Sequence, residues 1–108
     1  MQNSARVFQA LVDPTRREIL QMLKHGTLAA GEIAASFDMA APSVSRHLSI
    51  LSAAGLISSQ RDGNRILYSL EHQPLVETLG DFLSAVCPTQ IRHRRASKKK
   101  RRSTKKKR

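Results

Sequence analysis

A chain of 108 residues holds one small domain with appendages, and its single cysteine, Cys87, excludes an internal disulfide and suits a reducing cytoplasm. No apolar run approaches a membrane span and the N-terminus has no signal-peptide core, so neither a membrane partner nor export is expected. The formal charge of +11 is uneven: residues 1–91 hold seven Lys or Arg against all eight Asp and Glu, a net −1, while residues 92–108 hold twelve basic residues and no acid.

Asn3 to Val12 carries Val7, Phe8, Leu11 and Val12 on one helical face. Asp13 is a good N-cap and Pro14 suits a first helical position, so a second helix starts here. Ile19, Leu20, Met22 and Leu23 give it an apolar face, Lys24 and His25 suit its C-terminal dipole, and Gly26 suits a stop. Arg16 and Arg17 fall in its first turn, where the helix dipole disfavours cations. Two readings stay open: they are tolerated on the surface, or they answer an outside anion such as phosphate.

Thr27 to Ala29 reads as a connector, and Ala30 to Phe37 as a third helix with Ile33, Ala34 and Phe37 inward. Asp38 to Ala41 turns into a fourth helix that opens at Pro42. Val44, Leu48 and Leu51 form its apolar stripe, with Ser43, Arg46, Ser49 and Ile50 off the stripe. Small residues let a helix sit deep in a major groove, and an Arg reaches guanine edges or phosphates. A helical segment, a tight connection and this helix make a helix-turn-helix; the plainer alternative is an amphipathic helix with an incidental Arg.

Ala53-Ala54-Gly55 ends that helix, with Gly55 as a left-handed stop. The period then becomes extended. Leu56–Gln60 and Arg65–Leu70 flank Asp62-Gly63, a hairpin signal because both turn residues tolerate positive φ. Arg61, Asn64 and Arg65 at its tip suit a DNA-contacting wing, or merely a solvated turn. Gln73-Pro74 opens a last helix with Leu75, Leu79, Phe82, Leu83 and Val86 at helical spacing, ended by Cys87-Pro88. Its apolar face is wider than so small a body needs. With the first helix it is suited to a dimer surface, or to ordinary core. Beyond Pro88 the chain is basic and low in complexity, so disorder is expected.

DPTRREIL, GEIAASFDMAAPSVSRHLSILSAAGLI and RDGNRILYSL together resemble the ArsR/SmtB family of winged-helix bacterial repressors, over about Ser4 to Val86. Within it the chain resembles the metal-independent, autorepressor-like branch. The resemblance implies a mainly α fold with a small β-hairpin: a winged helix-turn-helix of five helices plus wing over residues 1–88, then a disordered polybasic tail over 89–108. It further implies a homodimer on palindromic double-stranded DNA. Val7, Phe8, Leu11, Leu79, Phe82, Leu83 and Val86 would then line the dimer interface. Ser43, Ser45, Arg46 and His47 match the recognition helix, with Pro42 and Ser49 beside them, and Arg61, Asn64 and Arg65 match the wing. His47 lies beside Leu48, which favours a structural role. Relatives often carry Ser-Gln before the helix proline, where this chain has Ala40-Ala41. Ala offers neither a cap nor an amide to read a base, which puts more of the readout on Arg46 and the wing. In the tail, Arg92, Arg94, Arg95, Lys98, Lys99, Lys100, Arg101 and Arg102 are expected to add non-specific affinity for phosphates.

Neither a metal nor another cofactor is expected. The third helix has no thiol pair, the last has Glu77 and Asp81 but no His within it, and His25, His47, His72 and His93 are dispersed. Apolar neighbours and the lack of a resolving thiol point to a buried or incidental Cys87. There is no phosphate-cradling loop, nucleophile elbow or catalytic carboxylate pair, so no enzyme is expected. The expected activity is regulation of transcription in the cytoplasm, on the nucleoid. The alternatives are a sequence-tolerant architectural DNA-binding protein whose affinity comes from the tail, and a regulator whose last helix mainly recruits a protein partner.

Overall fold

The structure is a computed structural model that describes residues 2–87. The polybasic tail expected over 89–108 lies outside them. In chain order the elements are α1 (Gln2–Val12), α2 (Pro14–Leu23), β1 (Leu28–Ala29), α3 (Ala30–Ala35), α4 (Ala41–Ala53), β2 (Ile57–Asp62), β3 (Arg65–Leu70) and α5 (His72–Val86). The chain divides into two units between Leu75 and Val76, inside α5. Among the described residues no helix is long and apolar enough to cross a membrane.

Sharp punctuation separates α1 from α2. The Oδ1 of Asp13 accepts from the Thr15 amide at 2.7 Å and the Arg16 amide at 3.3 Å, and Pro14 takes the first helical position. A helix ending at Val12 leaves the carbonyls of Gln9, Ala10, Leu11 and Val12 without helical partners. Arg16 and Arg17 supply them. Arg16 Nη2 donates to Gln9 at 3.1 Å and its Nε to Ala10 at 2.8 Å; Arg17 Nη1 donates to Leu11 at 2.7 Å and Val12 at 3.0 Å. Cations that oppose the dipole of their own helix thus complement the negative end of the helix before it. Neither reading taken from the sequence anticipated this.

The core of the first unit gathers Val7 and Ala10 of α1, Ile19, Leu20 and Leu23 of α2, Ile33 of α3, and Val44, Leu48 and Leu51 of α4, with Ala54, Leu56 and Ile57 below. No described polar or charged residue is buried there. At the end of α4, Gly55 takes φ +79°. Its amide donates to Ser52 at 2.9 Å and that of Leu56 to Leu51 at 3.0 Å. These two bonds form a Schellman stop, and Leu51 and Leu56, the positions of its usual apolar pair, are both fully buried in the core.

Three local expectations shift. The connector at Thr27–Ala29 contains strand β1, which pairs antiparallel with β3 (Leu28 with Tyr68, Ala29 with Leu67) and gives a three-stranded sheet in the order β1-β3-β2. Two residues are too few to show a period, so the strand is defined by its distant partner. The hairpin turn sits one residue later than expected. Asp62 pairs with Arg65 and the loop is Gly63-Asn64, with φ +65° at Gly63 and no positive φ at Asn64 or Asp62. A positive φ at the first loop position alone is the pattern of a type II′ turn, which needs glycine only there. Helix α3 stops at Ala35 rather than Phe37, as Ser36 and Phe37 donate to the carbonyls of Ile33 and Ala34. Phe37 still packs against the core.

The Asp13 cap generates a pH test. Burial, the largest single influence, pushes its carboxyl pKa up. The two amide donors and the nearby His47 and Arg16 together outweigh it and hold the pKa below the ordinary value. The stabilisation is therefore fully present above the unfolded-state pKa and is lost as pH falls through the folded-state one. Asp13→Ala should lower stability by about 1 kcal/mol at neutral pH, with the difference from wild type closing in strong acid. Thermal unfolding of both proteins across that range checks it.

Candidate nucleic-acid interface

The buried stripe fixes how α4 is rotated. With Val44, Leu48 and Leu51 in the core, Pro42, Ser43, Ser45, Arg46 and Ser49 are all exposed. Pro42, Ser45, Arg46 and Ser49 stand three, four and seven residues apart, so they share one outward face. It carries two hydroxyls and one guanidinium and no acid, a surface able to approach phosphates and base edges. Pro42, Ser43, Arg46 and His47 line a shallow depression of about 220 Å³ at the start of the helix. The helix opens on Ala40 with no side-chain cap; its first-turn amides at Ser43 and Val44 donate only to the Ala40 carbonyl, at 3.0 and 3.3 Å. A capping side chain there contributes about 1 kcal/mol in other helices.

His47 is half-buried, and its Nδ1 stands 3.2 Å from Nη1 of Arg16. The inward part expected of it is therefore a bond to α2. Arg16 was not among the expected site residues; its signal was a cation at an unfavourable helix start, which called for an acceptor elsewhere.

At the hairpin, Arg61, Asn64 and Arg65 are exposed, but the two arginines do not act from one side. Arg65 is paired with Asp62, and Arg61 with Ile66. Directly paired residues share a face and adjacent ones alternate, so Arg61 and Arg65 project from opposite faces of the hairpin. Asn64 and Arg65 line a depression with the start of α3, at Ala30, Gly31 and Glu32.

The residues expected at a dimer interface divide as well. Val7 is fully buried in the chain's own core and offers no surface. Leu11 and Leu79 are half-buried, and Phe8, Phe82, Leu83 and Val86 are exposed. Val12, 72% exposed, and Val76, 64% exposed, were not among the expected residues, yet each is fractionally more exposed than any of them. None of the residues of α5 is buried, although the helix is rich in apolar side chains. Cys87 is exposed, which overturns the expectation of a buried thiol and leaves the incidental one. Helix α5 opens at His72 rather than Gln73, so the last helix does hold a histidine, at its first position. Among the described residues no three His, Cys, Asp or Glu side chains come together in a way that could hold a metal ion.

A helix-turn-helix followed by a two-stranded wing, with a cationic and hydroxylic outward face, defines a winged-helix nucleic-acid-binding protein. The family model of arsR-type bacterial regulatory proteins matches residues 13–59. The transcriptional repressor SdpR of Bacillus subtilis (strain 168) is 45% identical over 80 residues, which cover 74% of this chain and 89% of that one. The regulator Rv2034 of Mycobacterium tuberculosis is 44% identical over 66 residues, covering 61% of this chain and 62% of that one. Among solved structures, an ArsR-like transcriptional regulator from Rhodococcus sp. RHA1 superposes with a TM-score of 0.70 at 31% identity, covering 91% of this chain and 92% of that one. The chain belongs to the arsR family; it is a DNA-binding regulator of transcription and not an enzyme.

Proposed function

We propose that the protein is a dimeric repressor that reads a palindromic operator through α4 and the hairpin, with a basic tail adding affinity for any DNA. The observation that carries the reading is the rotation of α4, which turns Ser45, Arg46 and Ser49 outward while the opposite stripe is buried. Arg46 is its base reader. Arg61 and Arg65, on opposite faces of the hairpin, contact backbone or minor groove on either side of the wing. Arg46→Ala is expected to weaken binding to the DNA upstream of the protein's own gene by about tenfold more than binding to random DNA, the worth of one good base contact. Arg65→Ala should weaken both more evenly. Equal losses on both DNAs for Arg46→Ala would remove that residue from the reading role.

The exposed apolar side chains Phe8 and Val12 of α1 and Phe82, Leu83 and Val86 of α5 support the dimer, which would cover them. Two-fold symmetry would place paired recognition helices roughly one DNA turn apart. Charge separates the two parts of the chain. Residues 1–91 are net −1, so long-range attraction to DNA falls to residues 92–108. Each phosphate neutralised adds about −0.9 to the slope of log K against log salt. A chain ending at Ile91 should sediment as a dimer, keep its preferred site, and bind random DNA more weakly with a shallower salt slope. An unchanged slope would mean that the tail does not touch DNA, and a monomer at micromolar concentration for both chains would exclude the paired-helix geometry.

The proposed repressor responds to no metal. With Cys87 the only thiol in the sequence and His72, at the first position of α5, joined by no second histidine on that helix, zinc, cadmium or arsenite at stoichiometric concentration should leave the complex intact. Tight metal binding by calorimetry, coupled to DNA release, would refute this.

A further inference from the structure

We propose that Arg16 is a positioning residue for DNA recognition: anchored on α1, it fixes His47 as the Nε2–H tautomer and so presents a hydrogen-bond donor beside Ser43 and Arg46. The proposal rests on the reading that α4 faces DNA.

A guanidinium only donates hydrogen bonds. Two of the Arg16 nitrogens are committed to the end of α1, Nε to Ala10 and Nη2 to Gln9, which leaves Nη1 aimed at Nδ1 of His47 at 3.2 Å. A neutral imidazole has one N–H and one lone pair. The nitrogen that meets a guanidinium must offer the lone pair, so the proton sits on Nε2.

That second nitrogen is not fully enclosed. Among the described residues no buried side-chain nitrogen or oxygen lacks a hydrogen-bond partner, and the hydrogen bond of His47 is at Nδ1. The ring lines the same depression as Pro42, Ser43 and Arg46. Its outer atom is thus a fixed donor on the proposed reading face, matched to a phosphate oxygen or to the N7 and O6 acceptors of purines. The same anchoring keeps Arg16 from swinging out to a phosphate itself. It ties three helices at one point, since the carbonyls belong to α1, the guanidinium to α2 and the ring to α4. An unanchored histidine would populate both tautomers, and one of them would turn a lone pair toward DNA acceptors.

Nitrogen NMR of the full chain, under alkaline conditions where imidazole is neutral, reads the tautomer directly and without DNA. The wild type should show protonated Nε2 and unprotonated Nδ1 at His47. Arg16→Lys, which keeps the charge but not the fork, should show a mixture. Binding is then measured on a duplex spanning the DNA upstream of the protein's own gene and on a scrambled duplex. His47→Gln places an amide donor near the Nε2 position and should keep the preference between the duplexes within about threefold. His47→Asn keeps an acceptor for Arg16 but no outer donor, and should lose about tenfold. A purely structural histidine gives the reverse order. An Nδ1–H tautomer in the wild type overturns the proposal whatever the DNA result. The reverse order of Gln and Asn, with Arg46→Ala still selective, overturns it and leaves the proposed function standing. If Arg46→Ala also changes nothing selectively, α4 is not the reading surface and both fall.

Discussion

Everything at the interface depends on three buried side chains. Val44, Leu48 and Leu51 lock α4 against the core, and a helix locked on one side has no choice about what it shows on the other. Each such side chain is worth about 1.5–3 kcal/mol when removed from water. Any rotation that hid Arg46 would therefore expose more apolar surface than one polar contact could offset. The Schellman stop at Gly55 fixes where the helix ends, and the buried Leu56 hands the chain to the sheet that carries the hairpin. Position, rotation and length of the outward face are thus all set from the inside.

Charge in this body is used locally. With near-zero net charge over residues 1–91, its arginines act by aim. Arg16 and Arg17 close the end of α1, Arg46 stands on the outward face of α4, and Arg61 and Arg65 leave the hairpin on opposite faces. The acid-sensitive cap at Asp13 lies within the electrostatic reach of both Arg16 and His47. One junction therefore joins helix capping to α4, through the bond between Arg16 and His47. In the proposed assembly, attraction at a distance would belong to the tail and discrimination to the body.

Much of this was legible in the sequence because it rests on period and punctuation. The stripe of α4, the Asp13-Pro14 start, the Gly55 stop and the winged helix-turn-helix itself follow from residues a few places apart. What escaped depends on distance or on a single turn. Strand β1 exists only through Tyr68 and Leu67, some forty positions on. The turn moved to Gly63-Asn64 because one glycine at its first position suffices. Val7 matched the spacing of an interface but packs inward, since adjacent apolar positions on a helix cannot all face one way. Arg16 was legible only as a misplaced cation, because its acceptors lie at the end of another helix and on a ring 31 residues later.

The central claim is that α4 and the hairpin, not the tail, choose where the protein sits on DNA. A footprint of the full chain on the DNA upstream of its own gene, over rising protein concentration, tests it most directly. The expected result is a bounded, dyad-symmetric protected site at low protein, with protection spreading only at much higher concentration. Continuous coating from the first detectable protection, with no preferred site, would contradict the account and favour a sequence-tolerant architectural protein.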